Sequence, residues 1–319
     1  MLYRRHLRIK VLQSLYSWHT GGIDDVIQGE KQLLESIDKL HELFIYQLSF
    51  LVAIAHFAEI RIEENKKKFY PTKEDLNPNL RFVENKILNS VAQNNNFILS
   101  RKSLKINWED HSDLVLRFYN ILKSKDLYIK YLADDNSSIE NDKRFLIKVV
   151  DQLLSEFEIL RAYYEERSVY FTDGYDLVNL LLIKFIENFS NKFSTQTLLP
   201  GIYKPNINGI NEDRDFVRKL YKHTIRHEEE LVNELKVRTK NWEFERIPIM
   251  DVILLKMAII ELQEMETIPI KVTLNEYIEL AKYFSTSKSK VFVNGVLDKL
   301  IRELKEKGKI NKTGRGLLE

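Results

Sequence analysis

The chain has 319 residues, more than the ~100 to 200 of one ordinary domain, so two units and a sizeable core are the starting expectation. It carries no cysteine, which excludes disulfides, thiolate nucleophiles and cysteine-based zinc sites and fits a reducing, cytoplasmic setting. Its 49 basic and 47 acidic residues nearly cancel, so any polyanion site must be local, and only 10 Gly and 6 Pro among long Leu/Ile/Lys/Glu-rich runs argue against a sheet protein and for an all-α fold.

In chain order, Met1 to Lys10 carries Arg4, Arg5, Arg8 and Lys10 without the apolar run of a secretory signal behind them. A first helix is predicted over Arg4 to Trp18, with Leu7, Val11, Leu15 and Trp18 at helical spacing and Gly21-Gly22 stopping it. A much longer helix is predicted from about Glu30 to Lys68, on the three-to-four spacing of Leu33, Ile37, Leu40, Phe44, Leu48 and Leu51. Its most apolar part, Leu43 to Ala58, is interrupted by Gln47, Ser49 and His56 and falls short of the ~20 residues that cross a bilayer; a buried helix and no membrane span are expected. After a loop bounded by Pro71 and Pro78, helices are predicted over Leu80 to Leu99, Asp113 to Leu132, Asp142 to Glu166 and Tyr175 to Phe189.

Ser194 to Asn211 holds Pro200, Gly201, Pro205 and Gly209, the densest breaker cluster, and marks the main boundary. Beyond it helices are predicted over Asp213 to Thr239, Pro248 to Met265, Leu274 to Phe284 and Lys290 to Lys307. Pro248 suits a first helical position, and the helix behind it is apolar nearly all round, as a central bundle helix should be. Thr273 and Glu276 have capping-box spacing, and Gly295 sits where a neighbouring backbone could come close.

Arg4 and Arg8 share the stripe of Val11, Leu15 and Trp18, so this buried stripe turns cationic at its N-terminal end and must overhang the core or meet an anion. Cations beside a helix N-terminus oppose the macrodipole, and a phosphate would satisfy both fields. A solvated helix end is the alternative.

Two segments carry a resemblance. The first is Arg4-Arg5-His6-Leu7-Arg8-Ile9-Lys10-Val11-Leu12-Gln13-Ser14-Leu15-Tyr16; the second runs through Asn241-Trp242, Arg246-Ile247, Asp251, Leu254 to Ala258, Glu261-Leu262, Ile268 to Val272, Leu274 to Glu276, Ile278 to Lys282 and Phe292 to Lys299. The first resembles the arginine-rich signature R-R-x-A-R-x-x-A-x-Q-x-L-Y/F of the NusB family of transcription antitermination factors, and the second is similar in order and spacing to that family's C-terminal half. Leu7 stands where the family has a small alanine and Lys256 where it has arginine.

The resemblance implies an all-α, NusB-like pair of helical bundles, here with a large inserted helical region. Residues 1–20 supply the first core helix with the arginine-rich motif, 21–211 the extended insertion, and 212–319 the C-terminal bundle with a basic tail. It also implies a non-enzymatic factor without cofactor or metal that binds boxA RNA together with NusE, a protein of the small ribosomal subunit, and joins other Nus factors on RNA polymerase. On that reading Arg4, Arg5, Arg8 and Lys10 meet RNA, and Tyr16 either stacks on a base or belongs to the core. Ser287-Lys288-Ser289-Lys290 offers hydroxyls, amines and backbone N–H groups to phosphate, or merely caps a helix; Phe292 either stacks or packs. Lys299 to Arg315, with seven basic and two acidic residues, reads as a basic tail, whose solvation alone is the competing account.

His223 and His227 have the spacing of a helical metal pair, but Thr224 stands where H-E-x-x-H requires glutamate. No P-loop, G-x-G-x-x-G or G-x-S-x-G motif is present. A ribosomal RNA methyltransferase with a NusB-like front domain would need a cofactor-binding sheet and a catalytic cysteine that this sequence does not supply. A helical protein–protein adaptor with a vestigial RNA surface stays open as the alternative.

Overall fold

The structure is a computed structural model that describes residues 2–22, 24–134, 136–204, 211–239 and 243–317. Pro205 and Gly209 of the breaker cluster and Asn241-Trp242 of the second signature lie outside the described residues. The helices are α1 (Arg4–His19), α2 (Val26–Lys66), α3 (Lys73–Leu76), α4 (Lys86–Ala92), α5 (Asn95–Ser103), α6 (Ser112–Lys123), α7 (Asp126–Ala133), α8 (Ile139–Val149), α9 (Glu158–Arg167), α10 (Tyr175–Glu187), α11 (Glu212–Arg226), α12 (Glu228–Arg238), α13 (Ile249–Glu264), α14 (Ile270–Phe284) and α15 (Ser289–Glu306), with no strand among the described residues.

The long second helix is unbroken over 41 residues, about 60 Å at 1.5 Å per residue. It is long and apolar enough to cross a membrane by length and composition, but 67% of its most apolar window is buried inside the protein, as in a core helix. Four other predicted helices are broken. Leu80 to Leu99 becomes α4 and α5, because the buried Asn85 and Asn94 each turn a side-chain oxygen onto the N–H groups that follow and start a new helix. Asp113 to Leu132 stops at Ser124, whose N–H closes back on Asn120, and restarts as α7. Asp142 to Glu166 passes through a π-helical turn at Val150–Leu154 before α9, and Tyr175 donates its hydroxyl to the carbonyl of Leu154 there. Asp213 to Thr239 breaks at His227, beyond which Glu228, Glu229 and Glu230 fill the first turn of α12, where the helix dipole favours anions.

The sequence grammar fails at three further points. Pro248 is the N-cap of α13 and not its first helical residue. Thr273 lies inside α14, which starts at Ile270, and its hydroxyl serves Glu261 in place of a cap. Gly295 faces open space, with nothing within 4 Å of where a Cβ would stand, so no close backbone approach demands it. Gly21, by contrast, takes φ +79° just after the C-cap of α1, a left-handed conformation that glycine adopts without strain.

The chain divides into two compact units, Asp38–Ile202 and Leu2–Ile37 with Tyr203–Glu319. The first has an aromatic core. Phe50 sits 4.9 Å from Trp108 and 5.5 Å from Phe118 between ring centroids, Phe118 meets Phe157 at 5.1 Å, and Tyr131 stacks on Phe145 at 3.8 Å. Its buried polar groups are largely neutral pairs: Gln47 donates to Asn179, and the Trp108 indole donates to Ser49. In the second unit α13 is the central helix, packed by α1, α11, α12, α14 and α15 and buried from Asp251 to Leu262.

Candidate nucleic-acid interface

Three ionic side chains lie within the buried span of α13, and each is pinned to a different neighbour. Asp251 accepts from Ser289 at 2.7 Å, Lys256 donates to Glu228 of α12 and lies against His19 of α1, and Glu261 receives Arg8 of α1. A charge inside an apolar helix must be paired, so these three positions fix how α1, α12 and α15 dock on α13.

The Arg8 pair is the most complete. Arg8 is 2% exposed, and its guanidinium grips Glu261 with two parallel bonds of 2.7 and 2.6 Å. Thr273 and Tyr277 donate to the same carboxylate at 2.8 and 3.1 Å. Burial opposes the Arg8 charge, but the attraction and hydrogen bonds of Glu261 outweigh it and raise the pKa above its ordinary value. The Tyr277 hydroxyl is pushed far up, first by burial and then by the Glu261 charge.

Arg5 is exposed and forms a second bidentate pair, with Glu276, at 2.9 and 2.8 Å. Glu276 is half-buried; burial opposes its charge, yet the Arg5 hydrogen bond and the nearby Arg8 and Arg5 charges lower its pKa overall. Arg4 lies 3.5 Å from Asp213 and 3.7 Å from Glu212, with its guanidinium over the Phe216 ring. Three arginines thus face four carboxylates of their own chain, Glu212, Asp213, Glu261 and Glu276.

This corrects part of the expected RNA-facing set. The anion that meets the cationic stripe is internal: Arg8 is consumed by Glu261, and Lys10 is also buried, at 6% exposure, so neither presents a surface to RNA. Arg5, Arg4 and Tyr16, the last 42% exposed, do reach the surface. The partners Glu261, Glu276, Thr273 and Tyr277 do not emerge as site residues from the sequence. The signal for Glu261 was present there as a glutamate in a helix apolar nearly all round.

The turn between α14 and α15 splits in the same way. Ser289, the first residue of α15, is buried and bonds Asp251, Ser285 and Thr286, so it ties the turn to α13, while no side chain caps the start of α15. Lys288 and Lys290 are exposed, and Phe292 is partly buried. The basic tail is not wholly solvated. Lys312 donates to the carbonyls of Met265 and Glu261 at 2.9 and 3.3 Å, a cation on the C-terminal carbonyls of α13, and burial lowers its pKa to about 8. Gly316 is buried against the same helix end, where a Cβ would stand 1.9 Å from the Glu266 carbonyl oxygen. His223 and His227 have ring centroids 6.0 Å apart; no group of three metal-ligating side chains occurs among the described residues.

The model of the NusB family matches residues 180–302. Over 112 residues the chain is 44% identical to the transcription antitermination protein NusB of Salinibacter ruber, which is 34% of this chain and 70% of that protein. It is 37% identical over 119 residues to the protein of that name from Chloroherpeton thalassium, 37% of this chain and 56% of that one. With that of Clostridium botulinum it is 42% identical over 89 residues, 28% of this chain and 63% of that one. No solved structure matches.

Proposed function

This chain belongs to the NusB family, and from that premise we propose that it is a non-enzymatic transcription antitermination factor that binds boxA-type RNA together with NusE, within a cytoplasmic RNA polymerase complex holding other Nus factors. The observation that carries the reading is the 44% identity to a transcription antitermination protein across most of that protein's length. The RNA surface we assign to Arg4, Arg5 and Tyr16 of α1 and to Lys288, Lys290 and Phe292 at the start of α15. Arg8 acts behind them as a positioning residue that locks α1 to α13. Phosphate would compete with Glu276 for Arg5, whereas Lys288 and Lys290 form no ion pair among the described residues and offer charge without such competition. The 21–211 segment is proposed as an extension of the core that supplies a dimer or partner surface.

The neutralised arginine cluster favours one rival, a protein–protein adaptor with a vestigial RNA surface. Fluorescence anisotropy separates the two. Labelled boxA RNA and a scrambled control are titrated with and without NusE, using wild type, Arg4→Ala/Arg5→Ala and Lys288→Ala/Lys290→Ala. Antitermination binding gives a boxA preference that NusE strengthens and both variants weaken. Equal, weak binding of both RNAs in every arm would sink the RNA reading and leave the adaptor.

A further inference from the structure

The Asp38–Ile202 unit holds two cavities of about 520 Å³ each, which share Val52, Ala92 and Arg101 and therefore abut. Volumes of ~300 to 1,000 Å³ are those of small-molecule sites. The first lies between α2, α4 and α6. Ala53 and Ala55 leave the space on α2, Leu88 and Val115 wall it, and Trp108 lines it, with Glu59 and Glu109 the acidic residues of its lining. The second is lined by Phe97, Ile98 and Ile106 together with the cations Arg101, Lys102 and Lys105, and by no acidic residue. Taken together the two are apolar along the body, with Glu59 and Glu109 on the first, Arg101 shared by both, and Lys102 and Lys105 on the second.

Lys105 supplies an independent observation. α5 ends with Ile106 N–H on the Arg101 carbonyl and Lys105 N–H on the Lys102 carbonyl, the Schellman closure whose left-handed position normally carries glycine. Here that position is Lys105, at φ +53°, the non-glycine positive φ of the described chain. Strain of this kind gathers at ligand clamps, and here it falls on a lysine that lines the cationic cavity.

We propose that the two cavities form one binding site for a small amphipathic anion, an aliphatic or aromatic body between α2, α4 and α6 and a carboxylate or phosphate beside Arg101, Lys102 and Lys105. Glu59 and Glu109 repel the head group from the first cavity and set the orientation. The site shares no residue with the RNA surface on α1 and α15.

The test uses the full chain loaded with 8-anilinonaphthalene-1-sulfonate, displaced in turn by decanoate, decyl phosphate and decanol. Both anions should displace the dye at concentrations roughly tenfold below the alcohol, and their order tells a carboxylate from a phosphate site. Ala53→Phe, which fills the first cavity, should abolish displacement by all three. Lys105→Gly should raise the melting temperature, because the strain is relieved, and yet weaken decanoate several-fold while leaving decanol unchanged. Dye that does not bind the wild type, decanol as effective as the anions, or Lys105→Gly binding decanoate like the wild type would each overturn the proposal.

Discussion

The two units solve the burial of polar groups in different ways. In the unit built on α13, the core contains formal charges: Asp251, Lys256, Glu261 and Arg8 are each at most 2% exposed, and each meets a partner on another helix. The Asp38–Ile202 unit buries rings, and most of its polar pairs are neutral, such as Gln47 with Asn179 and Trp108 with Ser49. A buried ion pair contributes little net stability over apolar residues of the same volume, because both charges must leave water, but losing one partner strands the other. Charges therefore dictate which helices meet and in what register, whereas edge-to-face rings tolerate adjustment at modest cost.

The largest expected effect breaks that contrast at its strongest point. Glu261→Gln leaves Arg8 charged, buried and 3.6 Å from its remaining carboxylate, Glu276, and should destabilise by about 3 to 5 kcal/mol in urea unfolding. Arg8→Met/Glu261→Met should recover most of that loss. A double variant as unstable as the single would show that hydrogen bonding to Thr273 and Tyr277, and not the stranded charge, holds the helices. In the aromatic unit the comparably conservative Phe50→Leu should cost less than about 1.5 kcal/mol; a loss as large as that of Glu261→Gln would erase the distinction.

A smaller effect sharpens it by pH. Lys312 has a folded pKa of about 8, below the ~10.4 of an unfolded lysine. Between these values the unfolded chain binds more protons, so stability rises as pH increases through that window. The urea midpoint of wild type should gain on that of Lys312→Met between about pH 7.5 and 9.5. Above about pH 10 the raised pKa values of the buried Tyr277 and Tyr164 reverse the slope, because there the folded state holds the extra protons. A parallel pair of midpoints would show that Lys312 is not depressed.

The smallest expected effect is on RNA affinity. For single-stranded RNA each phosphate neutralised adds about −0.7 to the log–log salt slope. Lys288→Ala/Lys290→Ala should flatten the slope by about that amount for every phosphate no longer neutralised, while Lys67→Ala/Lys68→Ala in the other unit leaves it unchanged. The reverse pattern would move the RNA surface to the insertion.

Much of the fold was legible because helical periodicity is local. The long second helix, the all-round apolar α13 and the final amphipathic helix follow from residues three and four apart. The breaks at Asn85, Asn94 and His227 were not legible, since an asparagine within an apolar stripe signals a cap only once its side chain is seen on the backbone. Arg5, Tyr16, Lys288 and Lys290, proposed to meet RNA, could be named from type and position alone, and all four are exposed.

The sequence by itself determined the helical class, the family and the cationic character of α1, because composition, spacing and motif order are properties of the chain alone. Only the tertiary structure decided what the cations meet. Arg8 and Glu261 are 253 positions apart and Arg5 and Glu276 are 271 apart, and no local pattern tells whether a guanidinium will find a carboxylate of its own chain or remain for a phosphate. That choice is made by the packing of α1 on α13, where the cost of an unpaired buried charge demands a carboxylate partner for Arg8 within the fold.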